Sequence, residues 1–250
     1  MKNWPTVIVE QYFTHPSGVR QLCFRDGLKA AYRPETQDWE TVKEVMLDGV
    51  YAVSLDHLKN QPGHLPVLDL GANIGLFSLR AAQCKPGLEV HAYEPAPQNI
   101  ALMESNQRVN PELAKRIHIH SEAVGGFTRT ARFFFDEKIP QASSLFSTGN
   151  QGQEVTVRAF AEIVTGIPVS WGLVKIDVEG AEYEIFKHTP PAIWEKVLTI
   201  SIEIHADPEG RMQKRDLLKQ IESLGYTAVK EFSGHSSYFF HRNAPLPAGI

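Results

Sequence analysis

From Val67 onward, apolar runs and helical periodicities alternate along the chain, the pattern of a mostly parallel sheet with helices on both faces. Residues 67–70, 88–93, 116–120, 172–176 and 197–204 read as strands, and several are unbroken apolar runs of the kind buried on both sides. The spacing predicts helices over 74–84, with Ile74, Phe77, Ser78 and Ala81 on one side, and over about 98–109, where Asn110-Pro111 stops the turn. A further helix follows Gly180 and runs through about Lys187. Residues 211–224 carry an amphipathic stripe ended by Gly225, and 227–230 and 237–241 supply two last strands, antiparallel at one edge. Together these elements predict an α/β, Rossmann-like fold with a seven-stranded sheet. The rhythm breaks over about 127–158, where 131–135 and 154–158 flank a polar stretch and predict an inserted β-hairpin near the mouth of the site.

Residues 1–64 have a different texture. Segments 7–12 and 20–24 alternate like a hairpin around Pro16-Ser17-Gly18, and 39–51 reads as a helix with Asp38 as its N-cap. The expected organisation is an N-terminal extension over 1–64, covering the ligand of a core domain over 65–250.

Bulk properties narrow the function. A formal charge of -4 and the lack of a Lys/Arg run disfavour a nucleic-acid partner. Cys23 and Cys84 have no metal-ligand spacing and form no disulfide framework. No secretory leader or bilayer-length apolar run is present, so a cytoplasmic protein is expected. Nothing in the chain encodes a readable oligomeric state.

Two segments together describe a nucleotide cradle. Residues 67–75 read Val-Leu-Asp-Leu-Gly-Ala-Asn-Ile-Gly, a buried strand ending in a glycine turn, and Glu94 closes the next strand. Without side chains, Gly71 and Gly75 let the backbone approach a ligand and turn into a helix. A carboxylate at the second strand's tip can accept both hydroxyls of a ribose. The pattern Asp69-x-Gly71-x-Asn73-x-Gly75 lacks the close glycines of a dinucleotide site, and Asp69 would repel a pyrophosphate. Asp69 suits an ammonium, as on the methionine part of S-adenosylmethionine.

In open parallel sheets, ligands bind beyond the carboxyl ends of the strands. Those ends carry Asp69 to Gly75, Glu94, Ser121-Glu122-Ala123, Asp177-Val178-Glu179 and Glu203-Ile204-His205. Glu94 would hold the ribose, with Pro95, Asn99 and Asn73 completing the cofactor set, and Glu122 or the backbone of Ala123 would read an adenine amino group. Asp177 and Glu179 lie mid-sheet, near a transferred group. His205 has the proton affinity best suited to base work near neutrality. Taken singly, Asp177 also fits a helix N-cap and His205 an exposed loop histidine.

Residues 67–75, Tyr93-Glu94-Pro95, 121–125, Ser143-Ser144-Leu145 and above all Lys175-Ile-Asp-Val-Glu-Gly-Ala-Glu182 resemble the FkbM family of S-adenosylmethionine-dependent methyltransferases. Segment 38–51, with Glu44 and Tyr51, is similar to the stretch preceding the nucleotide motif there. The resemblance covers about 30–205. It implies a class I methyltransferase fold, S-adenosylmethionine as cofactor, and O-methyl transfer to a hydroxylated small molecule such as a natural product or sugar.

For such a displacement, alignment alone supplies roughly 7–11 kcal/mol, and a positioned base adds about 10²–10⁴-fold. His205 or Asp177 would take the hydroxyl proton, with Glu179 orienting the acceptor. A second version places Mg²⁺ among Asp177, Glu203 and His205. The metal-free version is preferred, because Asp177 and Glu179, one residue apart, would point to opposite sides. A nicotinamide-dependent oxidoreductase is the alternative enzyme, but the tight Gly-x-Gly and Tyr-x-x-x-Lys it calls for are missing. The remaining alternative is a non-catalytic nucleoside-binding module.

Overall fold

The computed structural model describes residues 18–134, 152–232 and 237–242. The chain opens with an antiparallel hairpin of β1 (Arg20–Cys23) and β2 (Lys29–Tyr32). Helix α1 (Asp38–Val42) continues as a π-helical turn over Lys43–Leu47 and is followed by α2 (Ala52–Asn60). The βα units then begin: β3 (Val67–Leu70), α3 (Leu76–Cys84), β4 (Val90–Tyr93), α4 (Pro97–Val109), the short α5 (Pro111–Ala114) and β5 (Ile117–His120). Next come β6 (Ala123–Gly125), β7 (Arg129–Phe134), β8 (Gly152–Ala159) and α6 (Phe160–Gly166). The last part holds β9 (Leu173–Ile176), α7 (Glu182–His188), α8 (Pro191–Trp194), β10 (Thr199–Glu203), α9 (Lys214–Ser223), β11 (Tyr226–Phe232) and β12 (Ser237–Arg242).

Seven strands form the main sheet in the order β11-β12-β10-β9-β3-β4-β5. The strands β10, β9, β3, β4 and β5 pair in parallel, and β12 runs antiparallel between β10 and β11. Every residue of β3 and β9 is buried, as helices on both faces require. Their register sets Asp69 directly beside Lys175. In α9 the buried residues Leu217 and Ile221 are four apart on one stripe, and Gly225 follows with φ +90°.

The inserted hairpin is present as β7 against β8, and β6 extends it to a three-stranded sheet. Its expected first strand ends at Phe134, so Phe135 lies outside the described residues, as do Ser143 to Leu145. Segment 7–12 is also outside them; the described arm, β1, pairs with β2. Helices α2, α6 and α8 lie where the sequence pattern gave no helix. The predicted helix over 39–51 is interrupted after Leu47, and Gln37, not Asp38, is its N-cap. The Asp38 carboxylate, 1% exposed, instead accepts hydrogen bonds from Arg33 N, Nε and Nη2 at 2.9, 2.8 and 2.8 Å.

The described part of the extension has no core of its own. Leu22, Tyr32, Trp39, Val42 and Tyr51 share one buried cluster with Ile74, Phe77 and Met103. Buried amides stitch the join: Asn106 Oδ1 accepts from Ala31 N, and its Nδ2 donates to Ala31 O and, at 2.8 Å, to Ile74 O. The extension is thereby held over the strand tips.

Candidate active site

A cavity of about 210 Å³ opens at the carboxyl ends of β3, β4, β9 and β10, where the strand order reverses direction. Thr41, Glu44 and Tyr51 of the extension and Phe133 of the hairpin line it together with the strand tips.

At one end, Glu94 follows β4 and is 5% exposed. Its Oε2 accepts the Asn73 N–H at 2.9 Å, and its Oε1 accepts Ala96 N–H at 3.0 Å and Asn99 Nδ2 at 3.3 Å. A carboxylate has about four acceptor positions, and these bonds fill three. Burial raises the Glu94 carboxyl to about 7, against the pull of these donors. Asn99 is held in turn by Arg33 Nη2 at 2.8 Å. Asn73 lies in the left-handed region at φ 49°, and its Nδ2 donates to Thr41 Oγ1 at 3.2 Å. Pro95, Glu122 and Ala123 line the same end, and Arg158 Nε holds Glu122 at 3.3 Å.

Gly71 lines the cavity and is needed for the fold as well. At φ +75°, a Cβ there would sit 1.8 Å from the Asp177 carbonyl oxygen. Its bare backbone lets the β3 turn close against the tip of β9. Gly75, at φ +81°, caps the start of α3 and does not line the cavity.

The other end is built from charge. Lys175, 4% exposed, donates to Gly71 O at 2.9 Å, and its Nζ lies 3.2 Å from Asp177 Oδ2 and 3.4 Å from Asp69 Oδ1. Burial disfavours its charged form, but Asp177 and Asp69 prevail and hold the ammonium well above its ordinary value. His205 Nε2 lies 3.5 Å from Glu179, 3.9 Å from Glu203 and 4.0 Å from Asp177, while its Nδ1 is 2.8 Å from Glu182 Oε1. Burial lowers the imidazole's proton affinity, yet Glu182, Asp177 and Glu179 overcome this and lift it to about 10. Burial and neighbouring acids push Glu179 up to about 8, with His205 opposing. Burial, Glu203 and Asp177 push Glu44 up to about 7, with Lys175 opposing.

Three expectations change here. Asp69 is fully buried and off the cavity; Ser78 Oγ donates to it at 2.6 Å, and it serves Lys175, not a ligand ammonium. Asp177 and Glu179 do not point to opposite sides. The strand ends at Ile176, Glu179 turns at φ 51°, and both line the cavity. Asp177 is not a helix N-cap, because α7 starts only at Glu182 behind Ala181. Asp177, Glu203 and His205 each offer one ligand atom within 4.8 Å of one another. Lys175, 3.2 Å from Asp177, already sets a cation against this group, and such acid clusters are common without a metal, so the geometry alone does not argue for Mg²⁺.

Lys175, Glu44, Tyr51 and Glu182 carry no individual role in the sequence reading. Lys175 had a usable signal, since a lysine inside the apolar run Leu173-Val-Lys-Ile176 must be paired to be buried. Glu44 had none, because the π-helical turn that brings it over the cavity leaves no readable period.

No helix among the described residues is long and apolar enough to cross a membrane. The Methyltransferase FkbM domain matches residues 69–228. The chain is 27% identical over 220 residues to the 31-O-demethyl-FK506 methyltransferase FkbM of Streptomyces tacrolimicus, covering 76% of this chain and 82% of that one. It is 26% identical over 223 residues to Methyltransferase sdnD of Sordaria araneosa, with the same shares covered. The FkbM methyltransferase structure from Methylobacillus flagellatus KT superposes with a TM-score of 0.51 at 20% identity, over 71% of this chain and 43% of that one. The fold is that of class I methyltransferases, which implies S-adenosylmethionine as the methyl donor. The chain belongs to the FkbM methyltransferase family.

Proposed function

We propose that this methyltransferase transfers a methyl group from S-adenosylmethionine to a hydroxyl of a small molecule. The observation that carries the reading is one cavity with two unlike ends. A buried strand-tip acid with a free acceptor position lies at one end, and a carboxylate cluster at the other. The relative from Streptomyces tacrolimicus, named for O-methylation of a small molecule, supports the same class of acceptor.

Glu94 fits a ribose hydroxyl at its unfilled position, with Asn73, Pro95 and Asn99 shaping the pocket around it. Glu122 and Ala123, at the end of β5, are placed to meet the adenine. S-adenosylmethionine, when bound, supplies an electrophilic methyl on a sulfonium.

The acceptor hydroxyl gives its proton to Glu179. That carboxylate has a proton affinity near the working range, which suits a general base. His205 keeps both ring protons near neutrality and therefore orients rather than abstracts. Asp177, held by Lys175, flanks the transfer position. The protein's main work is alignment, worth roughly 7–11 kcal/mol.

The test is a panel of hydroxylated small molecules incubated with methyl-labelled S-adenosylmethionine, with products read by mass. A labelled methyl ether is expected. Calorimetry with S-adenosylhomocysteine and NAD runs alongside, and a preference for NAD overturns the reading.

A further inference from the structure

His205 lies two residues beyond the end of β10, so no sheet ladder places it. The first turn of α7 does so instead. Glu182 Oε1 meets the ring at Nδ1, 2.8 Å away, and Tyr183 Oη donates to the His205 carbonyl at 2.8 Å. The same Glu182 oxygen accepts the Val178 N–H at 3.2 Å, one residue before Glu179 in its left-handed conformation. Glu182 is 0% exposed, and its Oε2 has no hydrogen-bond partner among the described residues. A buried carboxylate needs a countercharge, and the imidazolium is the cation in contact with it.

We propose that Glu182 is a positioning residue: it fixes the His205 ring so that Nε2 presents a proton to Asp177, Glu179 and Glu203, and it ties that ring to the turn carrying Glu179. This rests on reading the cavity as the transfer site. A carboxylate behind a histidine selects its tautomer and orientation. The groups facing the ring are Glu182 from α7, Asp177 and Glu179 from the turn, and Glu203 from β10.

The test is NMR of the ring in the full chain, assigned by loss of its signals in H205N. The wild type is expected to show a downfield Nδ1 proton in slow exchange with water and a doubly protonated ring at pH 8. In E182Q, which keeps the shape and removes the charge, that proton signal is expected to vanish. The ring should then lose its second proton at a pH lower by roughly 1–3 units. An unchanged ring in folded E182Q overturns the proposal. Should E182Q not fold, the wild-type spectrum decides alone: a neutral ring or a freely exchanging Nδ1 proton overturns it. Calorimetry with S-adenosylhomocysteine separates the two claims, since absent binding sinks the methyl-transfer reading and leaves the ring result intact.

Discussion

The two ends of the cavity hold their carboxylates by opposite means. Glu94 is surrounded by neutral N–H donors, two from backbone and one from an amide. Asp177, Glu179 and Glu203 are gathered around two cations, Lys175 and His205. Neutral donors do not titrate themselves, although the Glu94 carboxyl they hold does so near 7, and they can be lost one at a time. A buried charge network is tuned by pH and fails at once when a cation is taken away. The first arrangement suits a ligand held by directional hydrogen bonds, the second a step in which a proton moves.

The sharpest way to break this contrast is Lys175→Met. It leaves Asp69, which is 0% exposed, without its cation and strips Asp177 of its closest one. Removing one partner of a buried pair costs about 3–5 kcal/mol. Denaturant unfolding should show that loss, and adding Asp69→Asn should restore part of it. A cost below about 1 kcal/mol means the acid end is not held by charge.

Glu94→Gln probes the other end. The amide NH₂ must face at least one of the donors now bound to the carboxylate, while the fold keeps its shape. Folding stability should fall by about 1–3 kcal/mol, the cost of leaving a buried donor unpaired, and affinity for S-adenosylhomocysteine should fall by about 1.5–3 kcal/mol, the worth of hydrogen bonds to a charged group. Denaturant unfolding and calorimetry read the two. A folding loss as large as that of Lys175→Met would erase the distinction between the ends.

The same contrast explains what could be read from sequence. Buried parallel strands give apolar runs, so β3, β4, β9 and β10 and the acids at their tips were legible. Helix α2 was not, since of its buried pair Ser54 and Leu58 only one is apolar and the stripe leaves no hydrophobic period. At the Glu94 end, residue type and spacing sufficed to put this acid at its strand tip on the cavity. At the acid end, the outcome depended on backbone that no period encodes. Glu179 reaches the cavity through a φ of 51°, and Asp69 is withdrawn from it by its register beside Lys175. Cross-strand pairing between distant segments had to be seen.

Titration sharpens the comparison further. Glu179 is raised from 4.5 to about 8, so its folded form binds the proton more tightly than the unfolded chain does. Its contribution is fully present below about 4.5 and lost as pH rises through about 8. Stability of the ligand-free protein should therefore fall between pH 5 and 9, and Glu179→Gln should flatten that fall by about 1–2 kcal/mol. Methyl transfer runs the other way: it needs the ionised base and should rise with pH over the same window, and the variant should lack that limb. A transfer rate without this limb removes Glu179 as the base.

The smallest effect is expected at Asn73→Gly. Asn73 is held at φ 49°, where a non-glycine residue costs about 1–2 kcal/mol, somewhat less for Asn. Glycine removes that strain. It also removes the Nδ2 bond to Thr41 Oγ1, worth about 0.5–1.5 kcal/mol, and adds backbone freedom to the unfolded chain. These contributions nearly cancel, so thermal unfolding should shift by no more than about 1 kcal/mol. The Asn73 N–H that Glu94 accepts is backbone and survives the change. S-adenosylhomocysteine affinity should therefore stay within about threefold of wild type, because the donor end depends on where its amides lie and not on the side chains above them. A loss beyond tenfold would mean that the Asn73 amide itself contacts the ligand, making the two ends more alike than their hydrogen bonds suggest.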